Sequence, residues 1–231
     1  MSGLKEYDPA FQSAKGQVTP DEQDSYIQYL IQNPSVSATW VGTAAGGTST
    51  QAKALVLINK NVDYPRTLLY GVVGTNDMGG AWTINGKDQF GNVVTETITL
   101  GTTAAGTPAV ANAGTQIFAQ VTSGTFTVTT GAVGLGSARI GVAIGTATGA
   151  ANQKYFFGLP TKIAAVGDVK MIAWSKEHVQ TTLGGGTIDS TLVNTTTHSF
   201  AGTGIMGGTE SFNVLIKSTY DNGSKANLAN L

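Results

Sequence analysis

The chain has no cysteine, little charge and no long apolar run. The absence of Cys among 231 residues excludes disulfides, thiolate metal ligands and a cysteine nucleophile. Only 12% of the residues are charged, against about 25% in an average soluble domain. The net charge of −1 provides no general field for binding phosphate backbones, so we expect no nucleic-acid partner. We also expect no membrane partner, because no apolar run approaches about 18 residues and residues 1–11 lack the apolar core of a signal peptide.

The residues that are present predict a globular β protein. Hydrophobic residues make up 41% of the chain, which excludes a disordered composition. Short segments rich in Val, Ile, Thr and aromatic residues alternate with Gly or Asn clusters, as is typical of strands. The predicted strands are 36–41, 53–59, 66–73, 80–87, 93–100, 115–121, 125–130, 138–144, 162–166, 169–174, 188–194 and 211–219. They predict an all-β, antiparallel sandwich or jelly-roll-like domain over residues 36–231, with 176–231 as a candidate C-terminal extension.

Residues 1–35 are predicted to be an N-terminal arm that carries one short helix, over 20–33. Thr19-Pro20-Asp21-Glu22 has the pattern of a capping box with proline at the first helical position, and Asn33-Pro34 is a stop signal. We expect the helix of this arm to cover a sheet edge or to dock on a partner chain. The candidate contact residues of the arm, with one from the following segment, are Tyr7, Phe11, Tyr26, Tyr29, Leu30 and Trp40.

Charge is distributed unevenly along the chain. Between Glu96 and Lys154 the only charged residue is Arg139. A Thr-rich solvent face would account for this, but the centres of protein interfaces are also depleted of charge. We therefore predict that this central stretch packs against other subunits.

No pattern of catalytic or metal-binding residues is convincing. One of the two histidines, His178 or His198, could form a triad with Asp189 and either Ser199 or Ser175. Both histidines could also join Asp189 or Glu177 around a metal ion. However, no nucleophile elbow and no zinc-ligand spacing supports either combination. The Gly-rich stretches lack the lysine of a phosphate-binding loop. We therefore predict no enzyme, no catalytic residue, no cofactor and no metal site.

A series of motifs in the middle of the chain resembles one family. In order, they are Asp63-Tyr64-Pro65-Arg66, the stretch 82–92 ending in a predicted Asp88-Gln89-Phe90-Gly91-Asn92 hairpin loop, 95–100, Phe118, and Gly158-Leu159-Pro160. Over residues 60–160 this order resembles β-rich structural proteins of tailed-bacteriophage virions, of the capsid decoration (cement) type. The resemblance implies a non-enzymatic virion protein on the capsid surface, assembled in the host cytoplasm. Its implied partners are the major capsid protein and further copies of itself, with a trimer favoured.

Two other functions are compatible with the same residues. The first is a tail, baseplate or fibre-associated component, which would also be a virion protein but would lie in the tail and not on the capsid. A carbohydrate-binding β-sandwich would instead use Trp82, Tyr70 or Trp174 to stack against sugar rings. A buried Trp82 would count against this last function.

Overall fold

The computed structural model describes residues 26–37, 39–45, 51–73, 78–103, 110–131, 137–142, 155–176, 179–182, 192–202 and 210–217. These residues form strands joined by turns, with one 3-10 turn at Val166–Asp168. In chain order the strands are β1 (Tyr26–Gln32), β2 (Gly42–Ala45), β3 (Ala52–Ala54), β4 (Val56–Leu57), β5 (Asn61–Arg66), β6 (Leu69–Val73), β7 (Met78–Lys87), β8 (Val93–Thr103), β9 (Val110–Ala113), β10 (Phe118–Gly131), β11 (Ser137–Gly141), β12 (Tyr155–Gly158), β13 (Val169–Lys176), β14 (Val179–Thr182), β15 (Val193–Asn194), β16 (Ser199–Gly202) and β17 (Glu210–Lys217).

The strands form three antiparallel sheets. A four-stranded sheet has the order β1-β17-β13-β14, and a five-stranded sheet has the order β4-β2-β11-β6-β9. The eight-stranded sheet has the order β15-β16-β12-β5-β10-β7-β8, with β3 also paired to β10. The predicted antiparallel, all-β sandwich is therefore confirmed.

Two apolar cores hold the sheets together. One joins the four-stranded sheet to β12 and β16, where the rings of Phe157, Phe200 and Phe212 lie with centroids 5.3–5.9 Å apart. The other joins the five-stranded sheet to β7, β8 and β10 around Trp82 and Phe126, whose centroids are 5.1 Å apart. The eight-stranded sheet thus contributes to both cores, because its two ends pack against different partners.

The predicted helix over 20–33 is wrong where the structure describes it. Residues 26–32 form β1, which pairs antiparallel with β17 from Tyr26 opposite Lys217 to Gln32 opposite Ser211. Burial alternates along β1 with period two, and Ile31 is the fully buried residue of the inward face. Ile27, Tyr29 and Ile31 are β-branched or aromatic residues on one face, which favours a strand once a partner strand is present. The described end of the predicted arm is therefore part of a sheet, while residues 1–25 lie outside the described residues.

Several strand predictions are confirmed and several are wrong. Predicted strands 80–87, 93–100 and 169–174 lie within β7, β8 and β13. Predicted segments 115–121 and 125–130 merge into one long strand, β10, which begins only at Phe118. No strand forms at the described residues of 36–41 or at 162–166. Strand β5 runs through Pro65, where the sequence indicated a break. Proline is accommodated there because the pairing of β5 with β10 is irregular, with a register shift between Phe118 and Gln120.

The charge-poor central stretch has an explanation within the chain. Strand β10 lies between β5 and β7, and β11 lies between β2 and β6. Their inward residues are buried, among them Phe126, Val128 and Ile140. Arg139 itself is partly buried, and this burial lowers the pKa of its guanidinium. Burial thus accounts for part of the scarcity of charge, but Thr122, Thr127 and Thr129 on β10 are exposed and uncharged. Packing of this stretch against other subunits stays a prediction.

Candidate functional site

The predicted hairpin loop joins β7 to β8 and is closed by Asp88. Its carboxylate accepts hydrogen bonds from the N–H groups of Phe90 and Asn92, both at 2.8 Å, and from the Asn92 side chain at 2.9 Å. Gly91 has a φ of 83°, which an L side chain rarely adopts. The sequence prediction of this hairpin is confirmed.

The loop is attached to a turn from the far end of the chain. Gln89 Nε2 donates to the carbonyl oxygens of Thr197 and His198, at 3.0 and 3.2 Å. The Phe90 and His198 rings meet edge to face, with centroids 5.5 Å apart. Gly158 makes room for this contact, since a Cβ there would lie 2.9 Å from Gln89 Cδ and 2.8 Å from Ile117 Cγ2. The hairpin motif and the Gly158-Leu159-Pro160 motif are therefore two sides of one packing contact.

A cavity of about 260 Å³ lies beside this contact. Its walls are formed by Asp88, Gln89, Phe90, Asn92, Val94, Gln116, Ile117, Lys162, Thr196, Thr197 and His198. The Lys162 ammonium lies 5.5 Å from the centroid of the Phe90 ring, so it covers the ring that could have stacked on a ligand. The volume is below the roughly 300–1,000 Å³ of typical small-molecule sites. The cavity therefore has no feature beyond those of a gap between packed loops.

The histidine in this cavity has a structural role. His198 adopts a φ of 48°, and its Nδ1 accepts a hydrogen bond from the Ile163 N–H at 3.3 Å. The hydroxyl of Ser199 is 2.7 Å from that of Thr197. The His198–Ser199 pair thus lacks the nucleophile-to-base hydrogen bond of a triad. Of the other residues considered for catalysis or metal binding, His178, Glu177 and Asp189 lie outside the described residues, as does the Ser175 side chain.

We expect Gly158→Ala to lower the free energy of unfolding by about 1–3 kcal/mol, because the added methyl group overpacks a filled contact. Shortening Gln89 removes one of the two clashes, so Gly158→Ala combined with Gln89→Ala should cost less than the sum of the single changes. The matched control is Gly167→Ala, where a Cβ has no neighbour within 4 Å. Chemical denaturation of the four variants measures these costs, and strict additivity would contradict the contact.

A buried carboxylate joins two sheets at a second place. Glu96 on β8 is 6% exposed. It accepts hydrogen bonds from the Tyr70 hydroxyl at 2.8 Å, from the Thr115 N–H and hydroxyl at 2.5 and 3.1 Å, and from the Gln116 N–H at 3.1 Å. Burial first, and then the Glu96 charge, raise the pKa of Tyr70 well above its usual value. Sequence reasoning missed this cluster, although Glu96 falls on the apolar face of β8 with Ile98 and Leu100.

The Asp63-Tyr64-Pro65-Arg66 motif fixes the segment that follows β1. The Arg66 guanidinium is fully buried, lies 2.8 Å from the Asp63 carboxylate and donates to the Ser35 carbonyl at 2.7 Å. Asp63 in turn accepts from the Ser35 N–H at 2.6 Å. The Tyr64 hydroxyl bonds to both the N–H and the C=O of Gln32. The polar side chains of this motif therefore hold the segment from Gln32 to Ser35 against β5.

The four predicted contact residues that the structure describes, Tyr26, Tyr29, Leu30 and Trp40, do not lie on one surface. Tyr26 and Leu30 are 47% and 49% exposed and lie on the outer face of β1. Tyr29 lies on the opposite, inward face of β1, where burial raises its pKa to about 12. Trp40 is half-buried against the second core, and its ring N–H donates to the Asn61 carbonyl at 3.2 Å. Tyr7 and Phe11 lie outside the described residues.

Two of the three aromatic platforms proposed for carbohydrate binding are not accessible. Trp82 and Tyr70 are both 0% exposed, and a buried ring cannot stack on a sugar. The Trp174 side chain lies outside the described part of the chain. The carbohydrate-binding alternative therefore loses the two platforms that the structure describes.

No protein-family model, curated protein or solved structure matches this chain. Among the described residues, His, Asp and Glu side chains form no group of three that could hold a metal ion. Within that same part of the chain, no helix has the length and apolar character needed to cross a membrane. The function must therefore be argued from the sequence motifs and from how the structure uses them.

Proposed function

We propose that this chain is a non-enzymatic structural protein of a tailed-phage virion, which binds the outer surface of the capsid as a symmetric oligomer. The major capsid protein is its proposed partner, and the capsid surface is its proposed location. The motifs between residues 60 and 160 that resemble phage decoration proteins suggest this role.

One observation carries the proposal: the conspicuous polar side chains of these motifs bond to the chain itself. Asp88 closes its own hairpin, Glu96 binds the loop at Thr115, and Arg66 binds Asp63 and Ser35. Side chains whose hydrogen bonds join strands and sheets contribute rigidity. They are not arranged as a nucleophile, a base or a ligand set. This use of polar residues is expected of a protein whose role is mechanical.

A rigid β protein on a capsid acts by adding contacts between neighbouring subunits. If it binds the expanded shell more tightly than the unexpanded one, it stabilises the expanded state by mass action. Several copies joined in one oligomer bind more tightly than one copy, since each further contact forms at a high effective concentration. The exposed apolar residues Tyr26 and Leu30 on β1 offer a surface for such contacts.

The test is co-sedimentation of the purified full-length chain with DNA-free heads of the phage that encodes it. We expect saturable binding to expanded heads, at a copy number that matches repeats of the capsid lattice, and weaker binding to unexpanded heads. Treated heads should also resist heating better than bare heads. Absence of the chain from purified virions, or its presence only in separated tails, would contradict the proposal.

A further inference from the structure

Strand β1 is held in its sheet by residues that are distant in sequence. Its ladder with β17 runs from Tyr26 opposite Lys217 to Gln32 opposite Ser211. The inward-facing Ile31 packs in the same apolar core as residues of β17. No tight turn joins the two strands, since residues 33–209 lie between them. The ladder and the packing would therefore be the same if β1 came from another copy of the chain.

The turn that follows β1 holds a strained backbone conformation. Asn33 has a φ of 46°, a region that residues other than glycine adopt uncommonly. It also precedes Pro34, and the residue before a proline prefers an extended conformation. Opening the turn into an extended chain would bring Asn33 into that preferred region. We call these two residues, Asn33 and Pro34, the hinge.

The chain is anchored on both sides of the hinge. Before it, Gln32 is the last residue of the ladder with β17. After it, the Ser35 N–H donates to the Asp63 carboxylate at 2.6 Å, and the Ser35 carbonyl accepts from the Arg66 guanidinium at 2.7 Å. A change in the direction of β1 is therefore confined to two residues. Short hinges under strain favour exchange of the element that they connect.

We propose that β1 is exchanged between two copies of this chain. With the hinge open, β1 of each copy pairs with β17 of the other in the register seen within one chain, and the two copies form a two-fold dimer. Residues 1–25 precede β1 and are exchanged with it, so the contact requires no free edge on β1. This inference deepens the proposed function, on which it rests for the need to self-associate, by naming the contact between copies.

The exchange preserves the contacts that hold β1 in place. The ladder with β17, the packing of Ile31 and the hydrogen bonds between Gln32 and Tyr64 all form again with the second copy. Only the hinge changes its conformation, and there the strain at Asn33 is relieved. The remaining cost is the loss of freedom on association, which falls when several copies are attached to one surface.

One residue pair of the ladder is suited to a disulfide that reports the exchange. The peptide groups of Gln32 bond to the Tyr64 hydroxyl and so point away from β17. The pairing of Gln32 with Ser211 is therefore of the non-hydrogen-bonded type, and so is the pairing of Leu30 with Asn213, two residues along. The Cα atoms of such pairs are about 4.5 Å apart, which lies within the range of disulfides.

The double variant Leu30→Cys/Asn213→Cys tests the exchange, because the chain has no other cysteine. In an unexchanged chain the disulfide is intramolecular, and a denaturing gel without reductant shows the monomer. In the exchanged dimer the disulfide joins two chains. We expect a covalent dimer whose share rises with the protein concentration before oxidation.

The matched control for this disulfide is Thr83→Cys/Thr97→Cys. These residues are opposite each other in the β7–β8 hairpin, so their disulfide should remain within one chain at every concentration. Monomer alone from the Leu30/Asn213 pair at all concentrations, or equal amounts of covalent dimer from both pairs, would overturn the proposal.

Substitutions of Asn33 test the hinge. Asn33→Val should lower the dissociation constant of the dimer at least about tenfold, because a β-branched residue disfavours the closed turn at positive φ and each dimer relieves two such turns. Asn33→Gly should raise the constant, since glycine adopts positive φ without strain. Analytical ultracentrifugation after long incubation measures both, because β1 must leave β17 before it can exchange. Shifts in the same direction would contradict the hinge.

Capsid binding of the Leu30→Cys/Asn213→Cys variant separates this proposal from the proposed function. A chain that forms the covalent dimer but does not sediment with heads contradicts the proposed function alone. A chain that sediments with heads, yet shows only monomer after oxidation both on the heads and in solution, contradicts the exchange alone.

Discussion

Replacing Arg66 with methionine is expected to lower the free energy of unfolding by about 3–5 kcal/mol, the usual cost of removing one partner of a buried ion pair. The guanidinium is fully buried, pairs with Asp63 at 2.8 Å, and lies 5.6 Å from the centroid of the Phe157 ring. Its loss also leaves the Ser35 carbonyl without its 2.7 Å donor. Denaturant unfolding followed by tryptophan fluorescence measures the change.

Two further variants show whether the ion pair is responsible for this loss. Asp63→Asn should also be destabilising, since it leaves a buried cation without its counter-charge, and the double variant should lose less than the sum of the two. The exposed Lys60, which precedes β5, provides the control, and Lys60→Met should change stability by no more than about 0.5 kcal/mol. Additive losses at Asp63 and Arg66 would show that the two side chains act independently.

Removing the Glu96 side chain is expected to have an effect of similar size. Glu96→Ala leaves the buried Tyr70, the half-buried Gln116 and the exposed Thr115 without the acceptor that they share. An unsatisfied buried donor costs about 1–3 kcal/mol. We expect a total loss of about 3–5 kcal/mol in the free energy of unfolding, measured by chemical denaturation.

Graded substitutions test the explanation for Glu96. Glu96→Gln retains one acceptor oxygen but removes the charge, so its cost should be smaller, about 1–2 kcal/mol. Tyr70→Phe removes a single donor and should cost a similar amount. Thr97→Ala, on the exposed side of the same strand, is the matched control and should be nearly neutral. If Glu96→Gln cost as much as Glu96→Ala, the carboxylate charge would matter more than the number of acceptors.

The β7–β8 hairpin shows what local sequence signals can predict. Alternation of Thr with Val, Ile and Leu identified β8, and Asp88 and Gly91 identified the turn, because both signals act over a few residues. The same signals did not reveal where the turn would dock. That contact depends on Gly158 and His198, which are distant in sequence.

Strand β1 shows where local signals fail. The segment from Tyr26 to Gln32 has apolar residues at spacings that fit either a helix or a strand. Its strand conformation follows from pairing with β17, at the other end of the described chain. Local propensity is a weak influence, and a full ladder of hydrogen bonds with a buried Ile31 outweighs it.

For the candidate site, composition and motifs predicted which residues are unusual, and the tertiary structure determined how they are used. Asp63, Arg66, Asp88 and Glu96 stand out in a chain with only 12% charged residues. Asp88 bonds within its own hairpin and Asp63 pairs with Arg66 on the same strand. However, Arg66 also binds Ser35, and Glu96 binds Tyr70 and Thr115, which belong to other segments. Sequence spacing cannot show such contacts, since they form between segments that meet only on folding.

The scarcity of charge between Glu96 and Lys154 can be read from the sequence alone, and so can the β-rich character of the chain. The scarcity of charge depends only on residue type. The β-rich character depends on residue type together with an alternation of period two. Only the folded chain shows which residues of this stretch are buried, among them Phe126, Val128 and Ile140, and which are exposed, such as Thr127. The outer position of β1 among the described strands of its sheet became apparent in the same way. A strand is internal or external only relative to its neighbours, and β17, the neighbour of β1, comes from a distant part of the chain.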